Sequence, residues 1–598
     1  MNKKILINGI MVFSISLSIY LVTLFPTVPY RDSGELITSA YLLGNTHPPG
    51  SPLYMLIGKL FSFIPLGAVA WRLNVMSAFF SALTVLIVFL IMLRVTGIGN
   101  TLSSAIAALS VAFSRVFWLQ AVQAELFALN GFFLALMIYI AVRINRNYRI
   151  YIWLFSYVFG LSICNHQMII LAFPAFAYFF WASSKENDFK IKSMDIISAL
   201  LFFMLGFSLY LYLPVRAAHN PSLNWNDPDK LERVFSVILR RDYGTLSLNK
   251  DAMVPHTLSS MSRQLITFIV TMARQFTIPV FLVGLAGIYA LHKKKMILSF
   301  FLLLIFIFSG PIFTVLANVA SDNNAKAMIE RFYQMPAIIF SIWVGLGTMA
   351  LFEKIKADIL KKLLAVILIS FLILFNFHDA NKSRNYLEFD YGINILDSIP
   401  ENTIIFTRRD NTRNILWYLQ LVEKRRPDVK MIISPMPFWW TEYAKEKWPG
   451  LKLQLNNNNE ADIMGIINDN YIDYPIYSDN IESEPLGKYY DYWMPEGVIF
   501  KFVPAKRDSL DISGIKKLYN KLNTYSYRGI HDKYFRADTF SMEIINYYAE
   551  SYFNYGAIYH NRGLYSEAAS EFQKAIEINP NFEDAKKLYE MDKTLIKS

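Results

Sequence analysis

The sequence predicts a polytopic α-helical membrane protein that continues into a soluble α/β region and then a helical repeat. Three observations support this fold class: apolar runs fill residues 5–377, charged residues concentrate after them, and a repeat pattern follows. Of 598 residues, 54% are hydrophobic and 18% are charged, below the roughly 25% typical of soluble domains. We therefore predict three domains, at residues 1–377, 378–514 and 515–598.

Eleven apolar runs approach or exceed the roughly 20 residues that a helix needs to cross a bilayer. They are residues 5–25, 73–93, 101–117, 121–142, 150–164, 168–182, 195–215, 266–290, 296–318, 333–352 and 363–377. The first run lacks a small-residue cleavage site, so we expect it to be retained as a span. Residues 52–66 are apolar but short, and we predict that they lie in the membrane interface.

Positive charge predicts the orientation of these spans. With eleven spans, basic clusters near residues 3–4, 143–149, 185–192, 293–295 and 354–362 all fall on one side, which should be cytoplasmic. The loop 26–71 and everything after residue 378 then face the periplasm or cell exterior, across a cytoplasmic (inner) membrane. The net charge of +11 therefore favours contact with anionic lipid headgroups, and no nucleic-acid-binding motif is present.

Two carboxylates lie in the first loop, soon after the first predicted span. Asp32 and Glu35 are three residues apart, so on a helix they share a face. A carboxylate there can remove a proton from an acceptor hydroxyl, whereas two carboxylates can instead hold a divalent cation. The same residues also fit a solvated loop in which Asp32 or Ser33 caps a helix.

Three further polar residues are unusual among such apolar neighbours. His47 lies in a rigid His-Pro-Pro-Gly turn, which fits either contact with a phosphate or a simple turn before residues 52–66. His166 lies in a polar triplet between apolar segments, which fits either the lining of a cavity or an outer turn. Glu125, near the outer end of the fourth span, is a functional candidate or a partner of a nearby arginine such as Arg115.

Motifs in this region resemble those of the transmembrane-protein-260 family. Three motifs occur in the family's order: RDSGEL at 31–36, HPPGSPLY at 47–54, and AWRLN followed by SA within 70–78. Shorter matches occur at residues 125–130, 165–167, 213–217, 223–225 and 240–244. The family is similar to the GT-C class of glycosyltransferases, which use lipid-linked sugars, and its eukaryotic members are protein O-mannosyltransferases. The resemblance covers roughly residues 20–440 and implies a GT-C-like fold.

The resemblance also implies roles for individual residues. Asp32 would be the essential acidic residue of the first outward loop, with Glu35 second, in a direct displacement on a polyprenyl-phosphate sugar. The candidates for binding donor phosphate or substrate are Arg31, His47, Arg72, Glu125, His166, Arg216, Arg241 and Arg331. Arginine suits phosphate because its planar fork bonds two oxygens, although each arginine also fits contact with lipid headgroups. No cofactor is expected with certainty; a divalent metal held by Asp32 and Glu35 is the candidate.

The soluble region contains two recognisable patterns. Residues 402–434 predict a strand, a helix and a strand, as in a small α/β unit. Residues 552–580 match the spacing of a tetratricopeptide repeat, which needs neighbouring helices to bury its apolar face. Such a repeat fits either binding of an acceptor protein or glycan, or packing without a ligand.

Three functions remain open on these grounds. The first is a membrane glycosyltransferase that moves a sugar, mannose by the family's precedent, to a hydroxyl acceptor such as protein Ser or Thr. The second is a transporter or flippase of lipid-linked sugars, although we find no matching halves with broken helices. The third is a scaffold organised by the repeat, which leaves the Asp32–Glu35 loop without a role.

Overall fold

The computed structural model describes residues 3–145, 147–244, 254–320, 322–455, 462–482, 485–506, 511–530 and 535–597. Arg146 of the predicted basic clusters lies outside these residues. The chain divides into two compact units. Unit 1 contains residues 1–26, 39–221 and 228–383, and unit 2 contains residues 27–38, 222–227 and 384–598. Two segments of the predicted 1–377 domain therefore group with the C-terminal region, and from residue 384 onward the predicted domains 378–514 and 515–598 share one unit.

Helices dominate residues 3–383. They are α1 (Lys3–Thr23), α2 (Asp32–Leu42), α3 (Pro52–Ser62), α4 (Val69–Thr96), α5 (Thr101–Ala112), α6 (Arg115–Ala121), α7 (Leu126–Ala141), α8 (Tyr148–Ile163), α9 (Phe173–Glu186), α10 (Ser193–Phe207), α11 (Tyr212–Ala217), α12 (Leu231–Ile238), α13 (Leu258–Phe276), α14 (Ile278–Lys294), α15 (Met296–Ile307), α16 (Phe313–Ala317), α17 (Asn323–Glu330), α18 (Gln334–Lys354) and α19 (Asp358–Ala380). The division between the units falls within α2, after Thr38.

The apolar helices of unit 1 differ in how much protein surrounds them. In their most apolar windows, 67% of the residues of α4 and 83% of those in Asn323–Lys354 are buried inside the protein. The buried share falls to 28% in α1 and 17% in Ser193–Ala217, which leaves most of their apolar side chains facing outward. A helix that is apolar on all sides suits either a protein core or lipid, so hydropathy does not separate the two groups.

Six described helical segments are long and apolar enough to cross a membrane. Two bent pairs raise the number to eight if each pair is one span: Ile98–Ala112 with Arg115–Ala121, bent by 68°, and Leu258–Phe276 with Ile278–Lys294, bent by 109°. The remaining three of the eleven predicted spans correspond to α7 and α8, of 16 residues each, and to α19. The count of eleven stays a prediction.

Unit 2 contains a five-stranded sheet with the strand order β2-β1-β3-β5-β4. The strands are β1 (Ile404–Thr407), β2 (Lys430–Ile433), β3 (Ile476–Ser478), β4 (Trp493–Glu496) and β5 (Ile499–Phe502). β1 runs parallel to β2 and β3, whereas β5 runs antiparallel to β3 and β4. The helices near the sheet in sequence are α20 (Leu387–Ser398), α21 (Asp410–Trp417), α22 (Phe438–Lys447) and α23 (Ile463–Asn470). The order β1, α21, β2 is the predicted strand, helix and strand.

The C-terminal part of unit 2 is helical. It comprises α24 (Ile512–Tyr519), α25 (Thr539–Asn561), α26 (Tyr565–Ile578) and α27 (Glu583–Lys597). α25 and α26 approach closely where Gly556 lies against the ring of Phe572, and both residues are buried. The small residue allows the two helices to pack, as a tetratricopeptide repeat requires.

Candidate active site

Asp32 is the first residue of α2, and the main chain just before it is held by α21. The N–H group of Arg31 donates to Oδ1 of Asn411 at 3.0 Å, and the Arg31 carbonyl accepts from Nδ2 of Asn414 at 2.8 Å. Arg31 has a φ of 55°, in the left-handed region. That conformation costs a non-glycine residue about 1–3 kcal/mol, so it persists because surrounding contacts hold it.

Asp32 and Glu35 occupy the first turn of α2, as the helical spacing predicts. Unpaired N–H groups and the helix dipole stabilise negative charge at this end of a helix. Asp32 is half-buried, whereas Glu35 is 2% exposed. The hydroxyl of Ser33 is buried and forms no hydrogen bond with the described residues, so the expected Ser33 cap is absent. Asp32 is therefore the more accessible of the two carboxylates.

Arg31, a predicted ligand of donor phosphate, is engaged elsewhere in unit 2. Its guanidinium pairs with Glu543 on α25, with 3.0 Å between Nη2 and Oε2. The two side chains are 22% and 27% exposed, so the pair is partly shielded from water. This contact holds the loop against α25, and a role of Arg31 in binding donor phosphate stays a prediction.

The His-Pro-Pro-Gly turn lies among α8, α11 and α12 of unit 1. The Gly50 N–H donates to the His47 carbonyl at 2.9 Å, and the N–H of Leu53 donates to the Cys164 carbonyl at 3.1 Å. Gly50 has a φ of 88°, and a Cβ there would lie 2.8 Å from Leu213. Glycine is therefore required on two counts, by its backbone conformation and by the lack of space. The turn brings His47 next to the end of α8.

His166 follows α8 and is surrounded by basic groups. Burial, followed by the charges of Arg240, Arg331 and His47, lowers the pKa of His166 to about 3, so the ring is neutral at pH 7. Its Nδ1 accepts the N–H of Met168 at 3.2 Å. In a neutral ring with Nδ1 as acceptor, Nε2 carries the proton. His166 can therefore donate a hydrogen bond to an anion without adding a charge.

Two aromatic rings hold His166 and Arg331 beside each other. The His166 ring lies 5.5 Å from the ring of Phe127 and 5.9 Å from that of Phe332, between centroids. The Arg331 guanidinium lies 5.6 Å and 5.8 Å from the same two centroids. Arg331 also pairs with the buried carboxylate of Glu125 at 3.7 Å. These contacts orient a partly buried guanidinium that is close to a neutral hydrogen-bond donor.

Glu125 lies immediately before α7, at its N-terminus, and not within a span. Arg115, the alternative partner suggested by the sequence, pairs instead with Glu330 at 2.6 Å and Asp379 at 2.8 Å. Glu125 does pair with an arginine, but with Arg331 and not with Arg115, because α6 carries Arg115 to two acidic residues that are distant in sequence.

Arg240 is a basic residue of this site that the sequence does not distinguish from its neighbour, the candidate Arg241. It follows α12 with a φ of 52°, is half-buried, and acts electrostatically on His166. Burial lowers its own pKa. The predicted Arg241 is exposed, in the short turn Arg241–Tyr243. Two adjacent arginines look alike in a sequence. The left-handed backbone conformation of Arg240 turns its side chain towards the protein and leaves Arg241 exposed.

We refer to His47, His166, Arg240 and Arg331 as the basic cluster. Next to it, Tyr54 is 0% exposed, and its hydroxyl forms no hydrogen bond with the described residues. Burial, and then the charge of Glu125, raises the pKa of Tyr54 well above its usual value. This hydroxyl is therefore available to hydrogen-bond a water molecule or a ligand.

The other two predicted arginines bond to main-chain oxygens. Arg72 donates three hydrogen bonds of 2.7–3.0 Å to carbonyl groups at the end of α3 and the loop after it. Arg216 donates to the carbonyl of Leu43 at 2.6 Å, just after α2. Both guanidiniums therefore stabilise ends of helices.

The predicted metal site depends on where the His, Cys, Asp and Glu side chains lie in the described part of the chain. There, no group of three or more His, Cys, Asp or Glu residues is arranged to hold a metal ion. A role for Asp32 and Glu35 as metal ligands stays a prediction.

Family models match separate parts of the chain. Residues 32–189 match the family model of the protein O-mannosyl-transferase TMEM260 N-terminal domain, and residues 388–448 match TMEM260-associated domain 2. The resemblance to the TMEM260 family is confirmed. Residues 549–582 match the tetratricopeptide repeat, which confirms that a repeat is present.

Two curated TMEM260 relatives match over most of the chain. The protein O-mannosyl-transferase tmem260 of Dictyostelium discoideum is 28% identical over 88% of this chain and 70% of its own length. The mouse (Mus musculus) protein O-mannosyl-transferase TMEM260 is 26% identical over 79% of this chain and 68% of its own length. These relatives confirm the predicted enzyme class, so the chain is a membrane glycosyltransferase.

A solved structure agrees with the predicted fold class. ArnT of Cupriavidus metallidurans, in the apo state, aligns with a TM-score of 0.51 and 10% identity, over 80% of this chain and 94% of ArnT. The GT-C-like fold of a multi-pass membrane protein is thereby confirmed. At this identity the likeness concerns the fold alone. The match to the TMEM260 N-terminal domain begins at Asp32 and includes the HPPG and Asn-His-Gln motifs.

Proposed function

We propose that this enzyme transfers a sugar from a polyprenyl-phosphate donor to a hydroxyl group of a protein Ser or Thr. Mannose is the sugar we favour, because both curated relatives are named protein O-mannosyl-transferases. The observation that carries the proposal is the basic cluster, in which the neutral His166 lies beside two guanidiniums in a helical membrane unit.

The basic cluster has the composition that a phosphate ligand requires. Arg331 pairs with Glu125, and Arg240 adds a second guanidinium that acts on His166. Charge-assisted hydrogen bonds from arginine are roughly twice as strong as neutral ones. His166 adds an Nε2–H donor, and Tyr54 adds a hydroxyl. We assign these groups to the donor phosphate, whose negative charge increases as the sugar departs.

Asp32 is the general base of the proposed reaction. The acceptor oxygen attacks the anomeric carbon of the sugar, and the hydroxyl proton passes to the Asp32 carboxylate. The bond between the anomeric carbon and the phosphate oxygen breaks, and its electron pair leaves with polyprenyl phosphate. A single displacement of this kind inverts the anomeric centre. No step in this mechanism passes through a metal.

The C-terminal repeat supports a protein as the acceptor, and the positively charged segments support the orientation in the membrane. Tetratricopeptide repeats offer a packed helical surface, and we assign the repeat at residues 549–582 to the acceptor protein. The segments rich in Lys and Arg near residues 3–4, 143–149, 185–192, 293–295 and 354–362 would lie in the cytoplasm. The loop with Asp32 and unit 2 residues after 384 would then face outward, across a cytoplasmic membrane.

The test is a transfer assay with purified full-length protein in lipid nanodiscs. The substrates are a polyprenyl-phosphate mannose labelled in the sugar and a peptide rich in Ser and Thr. We expect labelled peptide from the wild type, and a fall in kcat of about 10²- to 10⁴-fold in Asp32→Asn, the range for loss of a general base. The donor KM should remain unchanged, because the basic cluster is intact.

The matched control is Asp358→Asn. Asp358 is also the first residue of a helix, α19, and its side chain is 84% exposed. This variant should retain the wild-type kcat. In sealed proteoliposomes, labelled lipid that crosses the bilayer without labelling any acceptor would contradict the proposal and support the transporter alternative. Equal activity of Asp32→Asn and the wild type would refute the role of Asp32.

A further inference from the structure

The first turn of α25 contacts the two residues that precede Asp32. Tyr30 lies 2.8 Å from Ser541, between their hydroxyl oxygens. Arg31 pairs with Glu543 at 3.0 Å, and its guanidinium lies 4.7 Å from the centroid of the Phe540 ring. These contacts join residues more than 500 positions apart in the chain, all within unit 2.

The hydrogen bonds of Tyr30 form a chain with one consistent direction. The Ser541 hydroxyl donates to the carboxylate of Asp538 at 2.8 Å, and Asp538 also accepts the N–H of Ser541 as the N-cap of α25. Ser541 is thus left to accept the Tyr30 proton, while Asn385 donates to the Tyr30 oxygen at 2.5 Å. Tyr30 is 4% exposed, so losing any of these partners leaves a buried polar group unsatisfied.

The side chain of Arg31 opposes the backbone strain at the same residue. Its left-handed φ of 55° is unfavourable, and Asp32 follows directly. A fully exposed ion pair contributes little to stability. The Arg31–Glu543 pair is partly shielded from water, and the Arg31 guanidinium also lies over the Phe540 ring. Releasing the Arg31 side chain would therefore let the turn relax, and the carboxylate at the start of α2 would move with it.

We propose that Glu543 is a positioning residue of the active site, acting through Arg31 to hold Asp32 where it can accept the acceptor proton. The repeat-bearing C-terminal helices thereby form part of the catalytic machinery as well as a docking surface. The inference rests on the proposed function of Asp32. It goes beyond that function by making turnover depend on a helix at the other end of the chain.

The same helix supplies a matched control. Glu550, two turns further along α25, pairs with Arg409 at 3.1 Å, with the two side chains 42% and 18% exposed. Arg409 also lies over an aromatic ring, that of Tyr547, at 3.9 Å. Glu550→Gln therefore removes a comparable ion pair from α25 without touching residues 30–31.

The experiment compares Glu543→Gln, Glu550→Gln, Asp32→Asn and the wild type, all as full-length protein in nanodiscs. We expect Glu543→Gln to lower kcat about tenfold or more with the donor KM unchanged, because a misplacement of about 1 Å is worth about 10²-fold. Glu543→Asp, which keeps the charge, should recover part of the loss. Glu550→Gln should match the wild type.

A second measurement does not depend on activity. Hydrogen exchange followed by mass spectrometry should show faster exchange across residues 30–36 in Glu543→Gln and unchanged exchange there in Glu550→Gln. If Glu543→Gln and Glu550→Gln behave alike in kcat and in exchange, the positioning role is wrong, whatever Asp32 does. If exchange separates them but Asp32→Asn is fully active, the contact stands, and both the assignment of Asp32 and the positioning role for it are overturned.

Discussion

Substituting Gly34 by alanine tests whether the position of α2 controls the chemistry. Gly34 lies in the first turn of α2, two residues after Asp32, and faces α21. A Cβ at this position would lie 2.6 Å from the main-chain oxygen of Asn414 and 2.8 Å from its carbonyl carbon. These are backbone atoms of a helix, so no side-chain rotation can relieve the overlap.

The size of the effect follows from the distances. An ordinary contact begins at 3.4 Å, so α2 and α21 must separate by roughly 0.8 Å to accept the methyl group. Overpacking of this kind costs about 1–3 kcal/mol of stability. The same separation stretches the hydrogen bonds that Asn411 and Asn414 form with Arg31. A shift of about 1 Å at a reacting group is worth about 10²-fold in rate, so kcat should fall about 100-fold in Gly34→Ala.

The assay is transfer of labelled sugar, with the melting temperature of each variant measured in parallel. Gly99→Ala is the matched control, because a Cβ at Gly99 would meet no atom within 4 Å. We expect Gly99→Ala to keep the wild-type kcat and melting temperature. Gly34→Ala should lose turnover while still unfolding cooperatively. A Gly34→Ala enzyme with wild-type kcat would show that the contact between α2 and α21 does not set the position of Asp32.

Two further predictions concern the charged groups. Arg240→Met should raise the donor KM about 10- to 100-fold, because it removes a charge-assisted hydrogen bond. Arg241→Met should change the donor KM by less than about twofold. If steady-state kinetics gave the larger increase for Arg241→Met, Arg241 would be the phosphate ligand. Burial, and then the charge of Glu543, raises the pKa of Glu388 well above its usual value, so the folded protein holds this proton after the unfolded chain has released it. The free energy of unfolding that protonated Glu388 contributes is therefore complete below about pH 4.5 and is lost as the pH rises. In thermal scans, Glu388→Gln should melt at a higher temperature than the wild type at pH 8 but not at pH 4. A difference in melting temperature that does not depend on pH would contradict this.

Local patterns were sufficient where neighbouring residues decide the structure. The start of α2 at Asp32, the strands at 404–407 and 430–433, and the helical repeat all follow from spacing along the chain. The HPPG turn was also recognisable, because its backbone depends on its own prolines and on the positive φ of Gly50. Glu125 and His166 were found for the same reason, as polar residues in apolar surroundings.

Pairings between distant residues were not accessible in this way. Arg31 was expected to bind phosphate, yet its partner Glu543 lies 512 residues away. Arg72 and Arg216 were predicted as ligands, and the structure directs both to main-chain oxygens. An arginine that caps a helix and one that awaits an anion have the same sequence signature, because both follow or precede an apolar run.

The sequence by itself determined that this is a multi-pass membrane protein with two carboxylates in its first loop, and that its motifs resemble those of the TMEM260 glycosyltransferases. Hydropathy and motif spacing are properties of neighbours along the chain, so they survive without a fold. Only the tertiary structure decided that Arg240 and not Arg241 lies beside His166, and that α25 holds the residues before Asp32. These positions depend on backbone angles and on contacts between segments that are distant in sequence. Such contacts form only when the chain folds, so a local sequence pattern cannot predict them.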